Sequence, residues 1–335
     1  MALRVGINGF GRIGRLVLRG IIESGRDDVK VVGINDLGSV EMNAHLLKYD
    51  SVHGTLANDI DIDKDTIDVG TGPIRVSAER DPAKLPWNEL DVDIAFECTG
   101  FFTDRVSASK HIDAGASKVL ISAPGKEVDM TIVYGVNHDK LESHHTVVSN
   151  ASCTTNCLAP VADVLNRAVG IKTGFMTTIH SYTGDQRPLD TLHSDARRAR
   201  ACGVSLIPAE TGAAKAVGLV LPELLGKLGG TSVRVPTPNV SLIDLTFTAG
   251  RETSVEEINA AMKEAADGPM KGVLDYVTAE LVSVDFNHNP ASSSFDATQT
   301  KVLEGTFVRV LSWYDNEWGF SNRMPDTALA MHSAG

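Results

Sequence analysis

Gly9-Phe10-Gly11-Arg12-Ile13-Gly14 constrains the fold more than any other stretch of this chain. It follows a strand-like run at 4–8 and opens an amphipathic, helix-like run at 12–24. A G-x-G-x-x-G alone is a weak signal. Between a strand and a helix it is a strong one, because the glycines permit a tight turn and let backbone N–H groups at the helix start approach a pyrophosphate. The next strand-like run, 29–35, ends at Asp36, 22 residues after Gly14. A carboxylate there can accept hydrogen bonds from an adenosine ribose. The plain alternative for Asp36 is a turn or capping aspartate, and the register argues against it. A dinucleotide site is expected, for NAD in preference to NADP.

The rest of the first half repeats the alternation. Strand-like runs at 93–97, 118–122, 131–134 and 146–149 accompany helical spacing at 39–49 and 104–114, and 59–87 reads as short strands and turns. This predicts an α/β domain with a Rossmann-type doubly wound parallel sheet. Past residue 152 the texture changes. Strand-like runs at 174–182, 232–235, 241–249, 277–285 and 306–313 predict an α+β domain with a mostly antiparallel sheet. Ser254 and Glu257 read as a capping box for a helix ending at 266. A last helix is expected over 320–333, capped by Ser321 or Asn322, with Pro325 in its first turn.

Composition excludes functions more than it names one. A net charge of −12 disfavours nucleic acid or an anionic membrane surface as partner. An anionic substrate would have to be held by local cationic pockets. No apolar run approaches the ~20 residues of a membrane span. The first residues lead straight into a strand-like run, so no signal peptide is expected. Cys98, Cys153, Cys157 and Cys202 form neither a zinc-binding spacing nor a disulfide framework. No metal is expected, and reduced thiols point to the cytoplasm.

Reactive chemistry is concentrated in Ser152-Cys153-Thr154-Thr155-Asn156-Cys157. A strand-like run precedes it and a helix-like run follows, which puts Cys153 near a helix N-terminus, where the dipole favours a thiolate. A buried structural cysteine is the commoner fate of a lone thiol; the polar neighbours argue for a nucleophile. Of the ten histidines, His180 ends a strand-like run beside the polar Ser181-Tyr182-Thr183-Gly184-Asp185, a good place for a base.

Six segments together carry a resemblance: 7–15, 152–157, 180–183, 211–216 (Thr-Gly-Ala-Ala-Lys-Ala), 234–239 (Arg-Val-Pro-Thr-Pro-Asn) and 313–318 (Trp-Tyr-Asp-Asn-Glu-Trp). In order and spacing they resemble phosphorylating glyceraldehyde-3-phosphate dehydrogenases. The resemblance implies that Cys153 adds to the aldehyde. His180 would lower the cysteine's pKa as an ion-pair partner and then act as base. Thr183 and Arg234 would hold the substrate phosphate. Ser152, Thr154, Arg198, Thr211 and Gly212 would hold inorganic phosphate or the substrate phosphate in an alternate position. Arg12, Ile13, Asp36, Arg80, Thr99, Ser122 and Asn316 would contact NAD, with Gly9, Gly11 and Gly14 shaping the turn and Asn316 orienting the nicotinamide carboxamide. The resemblance also implies an NAD-binding domain at 1–152 and 315–335, a catalytic domain at 153–314, an S-shaped loop at about 182–204 and a homotetramer. The expected reaction converts glyceraldehyde 3-phosphate and phosphate to 1,3-bisphosphoglycerate.

For Arg198 a plain alternative stays open, since Arg197-Arg198-Ala199-Arg200 also reads as a solvated charge run or a subunit contact. The chain departs from the family pattern at three places. Thr191-Leu192 stands in place of Leu-Pro, Phe320 in place of tyrosine, and Met324-Pro325 in place of an aliphatic pair. The rivals are the related erythrose-4-phosphate dehydrogenase, an aspartate-semialdehyde type of enzyme, and a non-catalytic redox-sensing or binding protein in which Cys153 and Cys157, four apart on a helix, respond to oxidation.

Overall fold

The computed structural model describes residues 2–334; Met1 and Gly335, the outermost residues of the expected nucleotide domain, lie outside the described residues. Contacts divide the chain into two units. One runs to Ala151 and resumes at Ser321, and the other is Ser152–Phe320.

In the first unit, Leu3–Asn8 lies at the centre of a sheet, with Val29–Asn35 parallel on one side and Ile94–Glu97 parallel on the other. Ile74–Ser77 extends the first flank and Lys118–Ile121 the second. Strand order thus reverses at Leu3–Asn8, and in open α/β sheets ligands bind at the carboxyl ends of strands around such a reversal. Val5, Ile7, Ile34 and Phe96 are fully buried, as expected for strands covered on both faces. Gly6 and Gly33 make room for the Trp87 ring: a Cβ on them would lie 2.8 and 3.0 Å from it. The expected 104–114 helix is instead two short turns, Arg105–Ala108 and Lys110–Asp113. Between them Ser109 turns its hydroxyl back onto the Arg105 carbonyl at 2.7 Å.

The second unit has a mixed sheet ordered Ile207–Ala209, Leu228–Val235, Ile171–Ser181, Ser241–Ala249, Phe307–Tyr314, Ser293–Asp296 and Leu274–Val277. Its pairings are antiparallel except Ile171–Ser181 with Leu228–Val235 and Leu274–Val277 with Ser293–Asp296. Ser241–Ala249 alternates buried and half-buried residues along its length, the signature of a sheet with one covered face. The helix Cys153–Val169 packs on the strands Ser293–Asp296 and Phe307–Tyr314.

Three expectations are corrected here. The 277–285 run is not a strand: Leu274–Val277 precedes a 3₁₀ turn, Ser283–Phe286, whose start is held by Val282 N–H donating to the Asp285 carboxylate at 2.9 Å. Ser254 caps the Val255–Asp267 helix by accepting from Glu257 N at 3.2 Å, but the Glu257 carboxylate is directed at Arg251 and Thr253. The last helix, Trp318–Ser333, begins two residues early because Asp315 caps it, accepting from Glu317 N at 3.0 Å and Trp318 N at 2.7 Å. Pro325 therefore falls inside the helix. Asp315 also accepts from Asn239 at 2.8 Å, which ties residues just past 314 to the second unit. Among the described residues no helix is long and apolar enough to cross a membrane.

Candidate active site

In the first unit a cavity of about 400 Å³ is lined by Gly9, Gly11, Asp36, Arg80 and Thr99. Gly9 has φ +90, and a Cβ there would lie 2.7 Å from Thr99 N; a Cβ on Gly14 would lie 2.1 Å from Gly9 O. Gly11 faces open space with nothing within 4 Å, which leaves the helix start accessible to a pyrophosphate. Asp36 accepts one backbone N–H on each oxygen, from Phe10 at 2.9 Å and Gly38 at 3.0 Å, so lone pairs remain for ribose hydroxyls. This donor and acceptor set fits a dinucleotide.

The side chains of three residues expected at NAD have partners within the protein. Arg12 pairs with Asp50. Burial pushes the Asp50 carboxyl up, but hydrogen bonds from Arg12, His53 N and Val52 N outweigh it and hold the group at about 2. Ile13 packs on the core. Ser122 bonds the thiol of Cys98, which burial pushes up to about 12. Sequence reasoning missed Asn8, Asn35, Leu37, Glu79, Phe101 and Phe102, which also line the cavity. A polar residue closing each of two buried strands was the available signal for Asn8 and Asn35.

In the second unit Cys153 is the first residue of a 17-residue helix. Ala151, two residues earlier, has φ +57, a conformation that costs a Cβ-bearing residue about 1–3 kcal/mol. Ser152 is the N-cap: its Oγ accepts from Thr155 N at 3.1 Å and lies 2.8 Å from Thr155 Oγ1. The hydroxyl expected at an anion site is thus committed to the helix start. The Thr154 hydroxyl lies 2.8 Å from the Tyr314 hydroxyl, itself 2.9 Å from Thr178 Oγ1. The Thr154 backbone N–H is directed at the Cys153 sulfur.

Parallel register sets His180 directly beside Arg234. His180 Nε2 lies 3.6 Å from Cys153 Sγ. Two groups contend for Nδ1: the Ser181 carbonyl at 2.7 Å and Arg234 Nη1 at 2.9 Å. One nitrogen cannot donate to the first and accept from the second. The contact to the carbonyl is shorter, and Arg234 has its own bond to that carbonyl at 3.2 Å. Nδ1–H therefore donates to Ser181, and Nε2 faces the sulfur as an acceptor. Arg234 Nε is buried without a partner among the described residues, an arrangement suited to an incoming anion.

Two shifts bear on the charge state of the pair. Burial pushes the Cys153 thiol up, against the opposing Arg234 charge and hydrogen bonds from Thr154. Burial, then the Arg234 charge, pushes His180 down to about 3. Both shifts run against the implied ion pair, in a site where Cys153 itself is half-buried. Enclosure penalises both charges, and the arginine that favours a thiolate also opposes an imidazolium.

Arg198 is half-buried rather than solvated. It pairs with Asp185 and Asp195, and its Nη2 donates to Glu210 O at 3.4 Å. That bond sets the guanidinium beside Thr211, whose Oγ1 accepts from Ala213 N at 3.2 Å next to Gly212, the N-cap of Ala213–Val220. Arg198 is close enough for its charge to act on His180 and Arg234. Thr183 lies in the turn after the His180 strand, its N–H donating to Gln186 at 2.9 Å. Asn316 is buried in the second unit, where its Oδ1 accepts from Ser181 Oγ at 2.8 Å and Ser241 Oγ at 2.9 Å. The structure thus gathers Cys153, His180, Arg234 and Arg198 into one cationic site around a thiol.

Comparison with known proteins bears on both units. Two family models match: glyceraldehyde 3-phosphate dehydrogenase, NAD binding domain, over residues 3–105, and glyceraldehyde 3-phosphate dehydrogenase, C-terminal domain, over residues 152–316. The chain is similar to the glyceraldehyde-3-phosphate dehydrogenase of Xanthobacter flavus, 67% identical over 335 residues with 100% of both chains covered. It is also similar to that of Cereibacter sphaeroides, 64% identical with 99% of both covered. The glyceraldehyde-3-phosphate dehydrogenase 1 of Bacillus subtilis is 57% identical with 100% of both covered.

Proposed function

This chain belongs to the glyceraldehyde-3-phosphate dehydrogenase family, and from that premise we propose that Cys153 and His180 carry the reaction, with Arg234 and Arg198 as its phosphate-holding cations. It is an NAD-dependent oxidoreductase acting on glyceraldehyde 3-phosphate. The observation that carries the residue assignment is the 3.6 Å approach of His180 Nε2 to Cys153 Sγ, with Arg234 beside the same imidazole.

An aldehyde cannot release hydride until its carbonyl carbon is tetrahedral. His180 Nε2 takes the thiol proton as sulfur bonds to that carbon, and the imidazolium then returns it to the oxygen to give a hemithioacetal. Nδ1–H donating to Ser181 steadies the imidazolium formed in this step. When bound, NAD supplies the hydride acceptor that turns the hemithioacetal into a thioester, and His180 removes the hydroxyl proton again. A phosphate oxygen attacks the thioester carbon and the C–S bond breaks; the acyl phosphate departs, and the released Cys153 thiolate takes back the proton held by His180. Guanidinium forks suit both phosphates: Arg234 with Thr183 for the substrate, and Arg198 with the Thr211–Gly212 backbone for the attacking ion. Asp36 and the glycine turn hold the dinucleotide. The Asn316 amide nitrogen, opposite the oxygen held by the two serines, is the donor for the nicotinamide carboxamide.

The Arg198 contact beside Thr211 favours phosphorolysis over hydrolysis of an erythrose-phosphate type. Cys157 is buried against Ser293, which does not favour redox sensing. Exposed Leu189, Leu192 and Val204 on the 182–204 loop support a homotetramer, and four free cysteines support a cytoplasmic setting. Sedimentation and cell fractionation check these two readings. The central test is NAD reduction by glyceraldehyde 3-phosphate with and without inorganic phosphate, coupled to mass analysis of Cys153. A stable acyl adduct on Cys153 without phosphate is expected; turnover with no adduct there overturns the assignment.

A further inference from the structure

The first unit holds another carboxyl and imidazole that the reaction does not use. Glu97 and His111 are sealed from solvent, at 1% and 0% exposure. Glu97 Oε2 accepts from Asn8 Nδ2 at 2.7 Å and lies 3.0 Å from His111 Nε2. Its Oε1 accepts from Thr99 N at 2.7 Å and from the Thr99 hydroxyl. The state of His111 follows from its other side, where Trp87 Nε1 lies 2.9 Å from Nδ1. An indole nitrogen only donates, so Nδ1 accepts and the ring proton sits on Nε2, aimed at Glu97. Trp87 cannot step aside, because its ring fills the space left by Gly6 and Gly33. Every neighbour of the carboxyl is therefore a donor, which is the environment of a carboxylate.

The other ends of these bonds form the wall of the dinucleotide cavity. Asn8 Oδ1 accepts from Asn35 Nδ2 at 2.7 Å, and Asn35 exchanges bonds with the backbone of Glu79, both at 2.8 Å. Thr99 Oγ1 accepts from Phe101 N at 3.1 Å. Asn8, Asn35, Glu79, Thr99 and Phe101 all line that cavity. We propose that Glu97 is the positioning residue of the dinucleotide pocket, holding its wall through Asn8 and Thr99, with His111 and Trp87 locking it from behind. The inference rests on the reading of this cavity as the NAD site. One consequence is chemical. The Thr99 hydroxyl proton is committed to Glu97, so at this wall the hydroxyl can only accept from a ligand, and it is backed by the Glu97 carboxylate. That surface suits an N–H edge and repels phosphate.

The test measures NAD and ADP-ribose affinity by calorimetry, together with thermal unfolding. Glu97→Gln turns one acceptor into a donor that faces donors, and should weaken both ligands about tenfold or more. His111→Leu should weaken them similarly. His111→Gln should recover most of that loss, because an amide can accept from Trp87 and donate to Glu97 in the same sense. If Glu97 acts through Thr99, Thr99→Ala combined with Glu97→Gln should lose little more than the worse single variant. Folded Glu97→Gln that melts earlier yet binds NAD like wild type overturns the proposal and leaves a purely structural cluster. If Glu97→Gln does not fold, equal affinities in His111→Leu and wild type overturn it. Thr99→Ala and Asp36→Ala keep the two readings apart: unchanged NAD affinity in both removes the cavity as the NAD site, whereas their weakening with Glu97→Gln unaffected removes only the role given to Glu97.

Discussion

The sulfur of Cys153 and Nε2 of His180 stand 3.6 Å apart, one at the first turn of a helix and the other at the penultimate residue of a strand. Neither element alone makes a nucleophile. The helix start favours negative charge on sulfur, while enclosure opposes it. The strand brings an acceptor that takes the proton only when attack begins. A phosphate dianion held by Arg234 would cancel the positive charge that helps keep His180 neutral, so the substrate itself would assist proton transfer.

Cys153→Ser should lower turnover by roughly 10⁴-fold or more, the scale of losing a nucleophile. Cys157→Ser should retain most activity, because its thiol is buried against Ser293 at 3.3 Å and pushed up to about 12 by burial. Steady-state rates decide this. Comparable losses in the two variants would argue against a single nucleophile.

His180 lies at about 3, depressed by burial first and by Arg234 second, so its base form is present at every pH above that value. The rapid phase of NADH formation should therefore be nearly flat from pH 5 to 8, with no acid limb near the ordinary ~6.5. In His180→Asn the same phase should climb about tenfold per unit as hydroxide makes the thiolate. Stopped-flow traces with saturating aldehyde and low phosphate give both profiles. Superimposable curves would remove His180 as the base.

The same depression has a stability consequence. Unfolded His180 binds a proton below ~6.5, whereas the folded residue does not until about 3. The stability it contributes is fully present above pH 6.5 and is lost as pH falls toward 3, at about 1.4 kcal/mol per unit. Denaturant titrations between pH 7 and 4 should show a shallower acid loss for His180→Asn than for wild type. A steeper loss in the variant would contradict a buried neutral imidazole.

Local pattern made part of this legible. The glycine turn needs only neighbouring residues to declare itself, and Ser241–Ala249 announces its covered face by alternation. Ser152 as cap follows from the polar hexapeptide before an apolar helical run. His180 beside Arg234 was not legible, since it depends on a strand register that joins residues 54 apart in the chain. Burial of His180 is likewise a tertiary property, and it is what sets its imidazole against the implied ion pair. Asp315 as cap of the last helix was hidden because its other bonds, to Asn239 and His288 N, come from distant segments.

Arg198 is shared between Asp185 and Asp195, which compete with an incoming phosphate. Arg198→Ala should slow thioester breakdown more than its formation and raise the KM for phosphate roughly 10- to 100-fold, the scale of a lost charge-assisted bond. Asp185→Asn should shift that KM the other way, by a few fold. Single-turnover acylation and phosphorolysis rates separate the steps. A steady rate indifferent to phosphate concentration would instead indicate hydrolysis.

Cofactor choice rests on Asp36. Each of its oxygens takes one backbone N–H, from Phe10 and from Gly38, so the carboxylate is held in place with lone pairs to spare for ribose hydroxyls. A 2′-phosphate brought there meets a fixed negative charge. Two unit charges about 4 Å apart repel by ~4 kcal/mol at an effective dielectric of ~20. The phosphate carries more than one charge, but Asp36 is only half-buried and Leu37 beside it is exposed, so rotation toward solvent reduces the penalty. Discrimination of about 1–3 kcal/mol, or roughly 5- to 150-fold in favour of NAD, is expected. Thr191-Leu192 in place of Leu-Pro removes bulk and rigidity from the loop that the resemblance assigns to the subunit boundary. It supplies no cation there, so the preference should be weaker than in Leu-Pro relatives without reversing. Steady-state kinetics with NAD and NADP, for wild type and Asp36→Ala, measure the ratio directly. Asp36→Ala should narrow it by about tenfold. Equal use of both cofactors by wild type, or the same ratio in wild type and variant, would take the role away from Asp36.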